Sequence, residues 1–210
     1  MWGINNMKNI KQEIAVYVQL GVFVTTWILL LHVTHSELKF NGQALRVLPD
    51  VVTVYIALSL LFTTWLWKIP WLQGWLVPFP NLNGTWRGTL KSTWVNPETG
   101  KSPEPILVVI VIKQKFSSVS CVMFTPESES YSTTAQINED DASGILRLAY
   151  NYTNRSQATI RSRSEIHDGA AVLKIITAPS PILEGEYWTG RKTTGEISVF
   201  FKSRKYAQNF

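Results

Sequence analysis

The sequence predicts a membrane protein: two N-terminal transmembrane α-helices, then an all-β antiparallel up-and-down barrel of eight or nine strands. Three observations carry this. Two apolar stretches, Ile14 to Thr34 and Val51 to Leu66, follow one another closely and hold no charged residue. After Pro80 no helical period recurs, and apolar residues alternate along short runs instead. Turn signals separate those runs: Asn-Pro-Glu-Thr-Gly, Thr-Pro-Glu, Asn-Glu-Asp-Asp-Ala-Ser-Gly, Asp-Gly, Pro-Ser-Pro and Thr-Gly-Arg.

A helix needs about 20 apolar residues to cross a hydrocarbon core roughly 30 Å thick. Backbone polar groups in hydrocarbon must pair within their own segment, so both stretches are helical, with spans near 14–34 and 51–70. Lys8 and Lys11 before the first stretch also suit a cleaved signal peptide. No small-residue cleavage site follows Leu31, however, and the second stretch comes too soon. Trp27, Trp65, Trp67, Trp71 and Trp75 gather toward the segment ends, where an indole buries its ring and keeps its N–H wet. Trp71 to Pro80 holds too much aromatic residue and proline to continue a helix and reads as an interfacial strap. Residues 1–80 therefore form a helical hairpin with its strap, and 81–210 a soluble ligand-binding barrel.

Two spans place both termini on one side of the membrane. Lys8, Lys11 and Lys68 oppose Lys39 and Arg46 of the connection, a slight asymmetry. The 20 basic against 15 acidic residues, a net charge of +5, suit an anionic ligand or an anionic leaflet. A single cysteine, Cys121, excludes an intramolecular disulfide framework. Together these predict cytoplasmic termini and barrel, with an outer loop from His35 to Asp50.

Strands are expected near Asn83–Val95, Pro105–Lys115, Val119–Thr125, Ser130–Asn138, Gly144–Thr153, Ala158–Glu165, Ala170–Ile176, Ile182–Thr189 and Gly195–Lys202. Their regular spacing favours a closed barrel or a sandwich, and closure also removes sheet edges. Alternation puts Trp86, Gly88 and Leu90 on one face; Leu146, Leu148, Tyr150 and Tyr152 on another; and Leu183, Gly185, Tyr187 and Thr189 on a third.

The catalytic inventory is thin. His32, His35 and His167 are scattered, no metal-ligand cluster is visible, and no nucleophile elbow, phosphate loop or zincin helix occurs. Glu184 and Glu186 share a strand face and read as solvated charges before they read as an acid–base pair. The expectation is a protein that is not an enzyme and holds no metal or cofactor. Aromatic rings mix instead with guanidinium groups: Tyr131, Tyr150, Tyr152, Tyr187 and Trp188 with Arg87, Arg147, Arg161, Arg163 and Arg191. Rings stack on nucleobases and arginine forks grip phosphate. The same residues also serve as ordinary strand formers, with Arg161 and Arg163 on an exposed strand face. Gly88, Ala149, Ser162, Ser164 and Gly185 are small enough to keep the interior or one mouth open.

Two helices, an aromatic strap, a barrel opening with Asn83-Gly84-Thr85-Trp86-Arg87-Gly88-Thr89-Leu90, and the segments Gly185-Glu186-Tyr187-Trp188-Thr189-Gly190-Arg191 and Thr194-Gly195-Glu196-Ile197 near its end complete the pattern. Over essentially its whole length the chain resembles the two-span β-barrel effectors of bacterial CBASS antiphage operons. The resemblance implies a cytoplasmic barrel that binds a cyclic dinucleotide made by a cognate CD-NTase, with no role for a nucleic acid polymer. It further implies ligand-induced homo-oligomers, disruption of the bacterial inner membrane by the helices, and abortive infection. The Gly-x-Trp opening is also similar to that of lipocalins, where the tryptophan packs at the barrel base; Trp86 is then structural, with Arg204 as its cation–π partner.

A cyclic dinucleotide has two phosphates and two bases. The groups expected to meet it are Tyr131, Tyr150, Tyr152, Arg161, Tyr187, Trp188 and Arg191, with Thr133 and Thr189 as hydroxyl donors. For helix association, Gly21 with Thr25 and Ser59 with Thr63 are small residues four apart; their hydroxyls can equally bond their own helix. The alternative reading is a membrane-anchored, lipocalin-like carrier of a lipid or other apolar ligand. It requires an aliphatic interior, as Ile106, Val108, Ile110 and Ile112 suggest, with no arginine pointing in.

Overall fold

The structure is a computed structural model that describes residues 12–34, 46–140 and 143–210. Lys8, Lys11, and His35, Glu37 and Lys39 of the connection lie outside the described residues, as do Asp141 and Ala142. The chain divides after Pro80 into two compact units.

In the first unit, helix α1 spans Gln12–Val33 and helix α2 spans Leu48–Thr64. Pro49 falls in the first turn of α2, where a missing N–H breaks no helical bond, and Asp50 beside it suits the positive end of the helix. The helices meet through Phe23 and Tyr55, whose rings stand edge to face at 6.5 Å. Val51 is buried, whereas Tyr17, Leu29, Val33, Ile56 and Leu60 are exposed around the outside. Windows Val16–Val33 and Leu48–Lys68, with mean hydropathy 1.8 and 1.5, are long and apolar enough to cross a bilayer.

Short 3₁₀ turns at Leu66–Lys68 and Pro70–Leu72 then end the helical run. Trp75 donates its indole N–H to the Trp71 carbonyl at 2.8 Å, and Gly74 turns the chain at φ 91°. The strap is thus a folded corner, with Trp67 buried against Phe79.

The second unit is a closed barrel in which every strand pairs antiparallel with its sequence neighbour and β8 returns to β1. The strands are β1 Gly84–Ser92, β2 Ile106–Lys115, β3 Ser118–Phe124, β4 Ser128–Glu139, β5 Leu146–Ser156, β6 His167–Ile176, β7 Ile182–Thr189 and β8 Thr194–Ser203. The ninth expected strand, Ala158–Glu165, is absent. That segment forms a 3₁₀ turn at Ala158–Ile160, and Arg163 N and Ser164 N both donate back to the Ile160 carbonyl. Its backbone bonds are met locally, so nothing is left to build a ladder.

The interior is filled from the end where the chain enters. Trp86 is 2% exposed and lies edge to face with Phe201 at 5.4 Å, and its indole N–H donates to the Leu82 carbonyl. Above it pack Ile110, Ile112, Cys121, Leu148, Leu173, Leu183, Ile197 and Val199. Full burial of one such side chain contributes about 1.5–3 kcal/mol. Arg204 closes this base, but not over Trp86 as expected. Its guanidinium stacks on Phe201 at 4.9 Å, because its Nη1 is drawn to the carbonyls of Asn81 and Asn83. The tail continues along the outside, where the Thr85 hydroxyl donates to the Lys205 carbonyl and accepts from the Ala207 N–H.

Candidate functional site

Toward the opposite end the inward positions change character. β1 ends in Ser92, β4 begins with Ser128 and Ser130, β5 continues through Asn154 and Ser156, and β7 ends in Thr189. Two tyrosines mark the change. The ring of Tyr152 lies so close over its partner Gly169 that a β-carbon there would sit 2.5 Å from Cζ. Tyr187 lies over Gly195 in the same way, with 2.5 Å to its Cε1. Only glycine leaves room for a ring to lie down across the neighbouring strand. These rings, with Leu90 and Met123, floor an open cup of about 990 Å³. That volume is at the upper end of ordinary small-molecule sites.

The cup wall carries cations and hydroxyls. The β7–β8 turn is tied by the Thr189 and Thr193 hydroxyls at 2.6 Å and by Gly190 N donating to the Asp168 carbonyl at 2.8 Å. This fixes Arg191, whose Nη1 donates to Ser164 Oγ at 3.2 Å. Arg163 faces the same space but is paired with Glu127 at 2.6 Å. No ion pair engages Arg191 among the described residues. Its charge acts on Tyr152, Tyr187 and His167, which line the same cup.

Burial raises the Tyr152 hydroxyl to about 12, the neighbouring Tyr187 adding to the effect. Burial also raises Tyr187, against a hydrogen bond with Ser92 and the pull of Arg191. Both phenols stay neutral donors at neutral pH. His167 is depressed, chiefly by burial and secondarily by Arg191, against the hydrogen bond to the Glu165 carbonyl and the charge of Asp168. It is therefore uncharged at pH 7 with a proton-accepting nitrogen.

Of the expected contacts, the structure brings Tyr152, Tyr187, Thr189 and Arg191 together in the cup. The others go elsewhere. Tyr150 is buried beneath the floor, and its hydroxyl has no hydrogen-bond partner among the described residues. Trp188 follows inward Tyr187 on the same strand and must point outward, where it is 45% exposed. Tyr131 is exposed on the outer wall with its hydroxyl on Glu129, and Thr133 lies at a bulge in β4, donating to the Asn151 carbonyl. Arg161, in the β5–β6 connection, spends its Nε on the Ser156 carbonyl at 3.3 Å. Sequence reasoning missed Ser130, Asn154, Ser156, His167 and the rim residue Trp94.

The small residues offered as spacers also move. Ala149 faces out, and at Gly88 and Gly185 a β-carbon would strike the neighbouring backbone. Those two glycines let strands close up rather than open a cavity. Ser162 is exposed on the connection, and only Ser164 reaches the rim. Glu184 and Glu186 point outward. Among the described residues no group of His, Cys, Asp and Glu converges as a metal site.

On the helices, Thr63 donates its hydroxyl to the Ser59 carbonyl at 2.9 Å, so the Thr63 hydroxyl is bonded within its own helix. Gly21 and Thr25 lie exposed on α1.

A cup built from buried hydroxyls, two neutral phenols and an arginine without a carboxylate offers hydrogen-bond donors and a positive charge, chemistry that suits an anionic ligand. A family model described as Cap15, cyclic dinucleotide receptor domain, matches residues 77–200, more than half of the 210-residue chain. The chain belongs to the Cap15 family. Among curated relatives, CD-NTase-associated protein 15 of Escherichia albertii is 25% identical over 172 residues, 77% of this chain and 84% of the relative. CD-NTase-associated protein 15 of Staphylococcus schleiferi is 33% identical over 92 residues, 44% of this chain and 48% of that relative. The Cap15 match runs from the strap into β8, so the barrel is the cyclic dinucleotide receptor domain. The resemblance to CBASS effectors thus rests on the family as well as on the fold.

Proposed function

We propose that this protein is a CBASS effector that is not an enzyme: the cup binds a cyclic dinucleotide made by a cognate CD-NTase, and the helices act on the bacterial inner membrane. The observation that carries this reading is the cup itself, where Arg191, the Tyr152 and Tyr187 phenols and Thr189 converge on one open space. Phosphates take the arginine and hydroxyl donors; bases take the ring faces and the polar wall. The lipocalin-like alternative needs an apolar interior open to a lipid. Here Trp86, Leu148, Leu173 and their neighbours fill the base, and the open part, though lined by Leu90, Ile106, Leu107 and Met123, also carries Arg191 and a row of hydroxyls that a lipid would leave unpaired.

Ligand that binds associated barrels better than lone ones shifts the population toward oligomers by no more than that difference. Oligomers bring helices together, with Gly21 and Thr25 on the free face of α1 as the surface through which chains meet. Concentrated helices then breach the membrane and kill the infected cell. Cytoplasmic termini follow from the ligand, which is made in the cytoplasm. The test uses the full chain in detergent and a panel of cyclic dinucleotides. The expected result is binding of at least one, with a change from small to large species in sedimentation, both weakened in Arg191→Ala. Unchanged sedimentation with no binding across the panel removes the reading.

A further inference from the structure

Asn154 sits where the cup wall is most enclosed. It continues the inward phase of β5 from Tyr152 and is 7% exposed, yet it lines the cup. Its carboxamide is held at both ends. Oδ1 accepts from Ser130 Oγ at 2.8 Å, and Nδ2 reaches Ser156 Oγ at 3.5 Å. Ser156 Oγ lies 2.9 Å from Ser164 Oγ, which also accepts from Arg191. A hydrogen-bonded row thus runs from Ser130 across Asn154 to the cationic rim.

A carboxamide has two N–H donors and an oxygen with two lone pairs. The serines use at most one of each, so one donor and one acceptor remain. An amide this enclosed is costly to leave half satisfied, and a wall needing only bulk or polarity would carry serine or valine instead. We infer that Asn154 is the specificity-determining residue that reads a base of the bound nucleotide, and that it favours adenine over guanine. This rests on the cup being the cyclic dinucleotide site. Adenine sets its N6–H donor beside the N7 acceptor, the pattern an asparagine edge complements. Guanine sets two acceptors, O6 and N7, on the same edge. On its other edge O6 beside N1–H repeats the acceptor–donor pair, but N2–H then needs a further acceptor, and Glu127 on the wall is already held by Arg163.

The experiment measures affinities of the full chain in detergent for cyclic di-AMP and cyclic di-GMP by calorimetry. The wild type is expected to prefer cyclic di-AMP by roughly tenfold or more, the value of one good bidentate base contact. Asn154→Ala should equalise the two by weakening cyclic di-AMP alone. Asn154→Asp, which only accepts, should reverse the order toward guanine. Ser130→Ala, which keeps the amide but frees its rotation, should lose part of the preference. It carries the test with Asn154→Ala if the aspartate variant does not fold by thermal unfolding. A wild type that prefers guanine, or an Asn154→Ala variant that keeps the adenine preference, overturns the assignment and leaves the cup in place. Binding of some other cyclic dinucleotide but neither of these also overturns it, and binding of none removes the cup reading as well.

Discussion

The base and the mouth of the barrel are built by the same eight strands, yet one is filled and the other hollow. Closure satisfies the backbone equally in both halves. The contrast therefore lies in the inward side chains: Trp86, Ile112, Leu148 and Val199 below, and Ser92, Ser130, Asn154 and Thr189 above. The division teaches that stability and recognition are separated along the barrel axis, with the Tyr152 and Tyr187 rings as the partition.

Substitutions on either side should break one property and spare the other. Trp86→Ala should have the largest effect, lowering the unfolding free energy by about 3–5 kcal/mol in denaturant titration. The folded fraction should still bind ligand normally. Arg191→Ala should leave the melting temperature alone and weaken the best-binding cyclic dinucleotide by about 1.5–3 kcal/mol in calorimetry, the worth of hydrogen bonds to a charged group. A drop in melting temperature with unchanged binding would reverse the assignment of the two halves.

Gly169→Ala tests the partition, because the new β-carbon lands 2.5 Å from Cζ and Oη of Tyr152. Overpacking of about 1–3 kcal/mol is expected in stability, together with weaker binding. Retention of either property would show that the ring is free to move. Lower pH should sharpen the contrast by a smaller amount. Burial holds His167 below the ordinary histidine value, so it is neutral at pH 7; a phosphate bound beside it would raise its pKa, and ligand uptake would then carry a proton. Affinity should rise severalfold as pH falls from 7 toward 5, and His167→Gln should flatten the profile. Folding has the opposite sign: a depressed histidine stabilises the fold above its unfolded pKa, and that contribution is lost as pH falls through the folded value. Smallest of all, Trp188→Ala, Tyr131→Ala and Thr133→Ala on the outer wall should change stability and affinity by no more than about 0.5 kcal/mol.

Much of the barrel was legible because alternation is a strict rule. The phases of Trp86, Gly88 and Leu90, of Leu148, Tyr150 and Tyr152, and of Leu183, Gly185 and Tyr187 all face the interior as the pattern demands. The same rule should have placed Trp188 outside, since neighbours on a strand cannot share a face; aromatic character outweighed parity. It should also have found Asn154 and Ser156, which simply continue the β5 phase past Tyr152. On β4 parity fails, because the bulge between Ser132 and Thr134 reverses the phase and leaves Tyr131 outside. The alternating Arg161 and Arg163 imitated a strand where local turn bonds had already taken the backbone. Arg204 was drawn off Trp86 by two carbonyls that only the folded base brings together.

The β1–β8 ladder is the one that joins strands remote in sequence, pairing Thr85 with Ser203 and Leu90 with Ile197. The other ladders can zip between neighbours; this one closes only after the whole ribbon has curled. The belt therefore has a single buckle, and Arg204, Lys205 and Ala207 are its tongue, threaded back onto Asn81, Asn83 and Thr85. Any load on the chain at Asn81 falls first on that fastening.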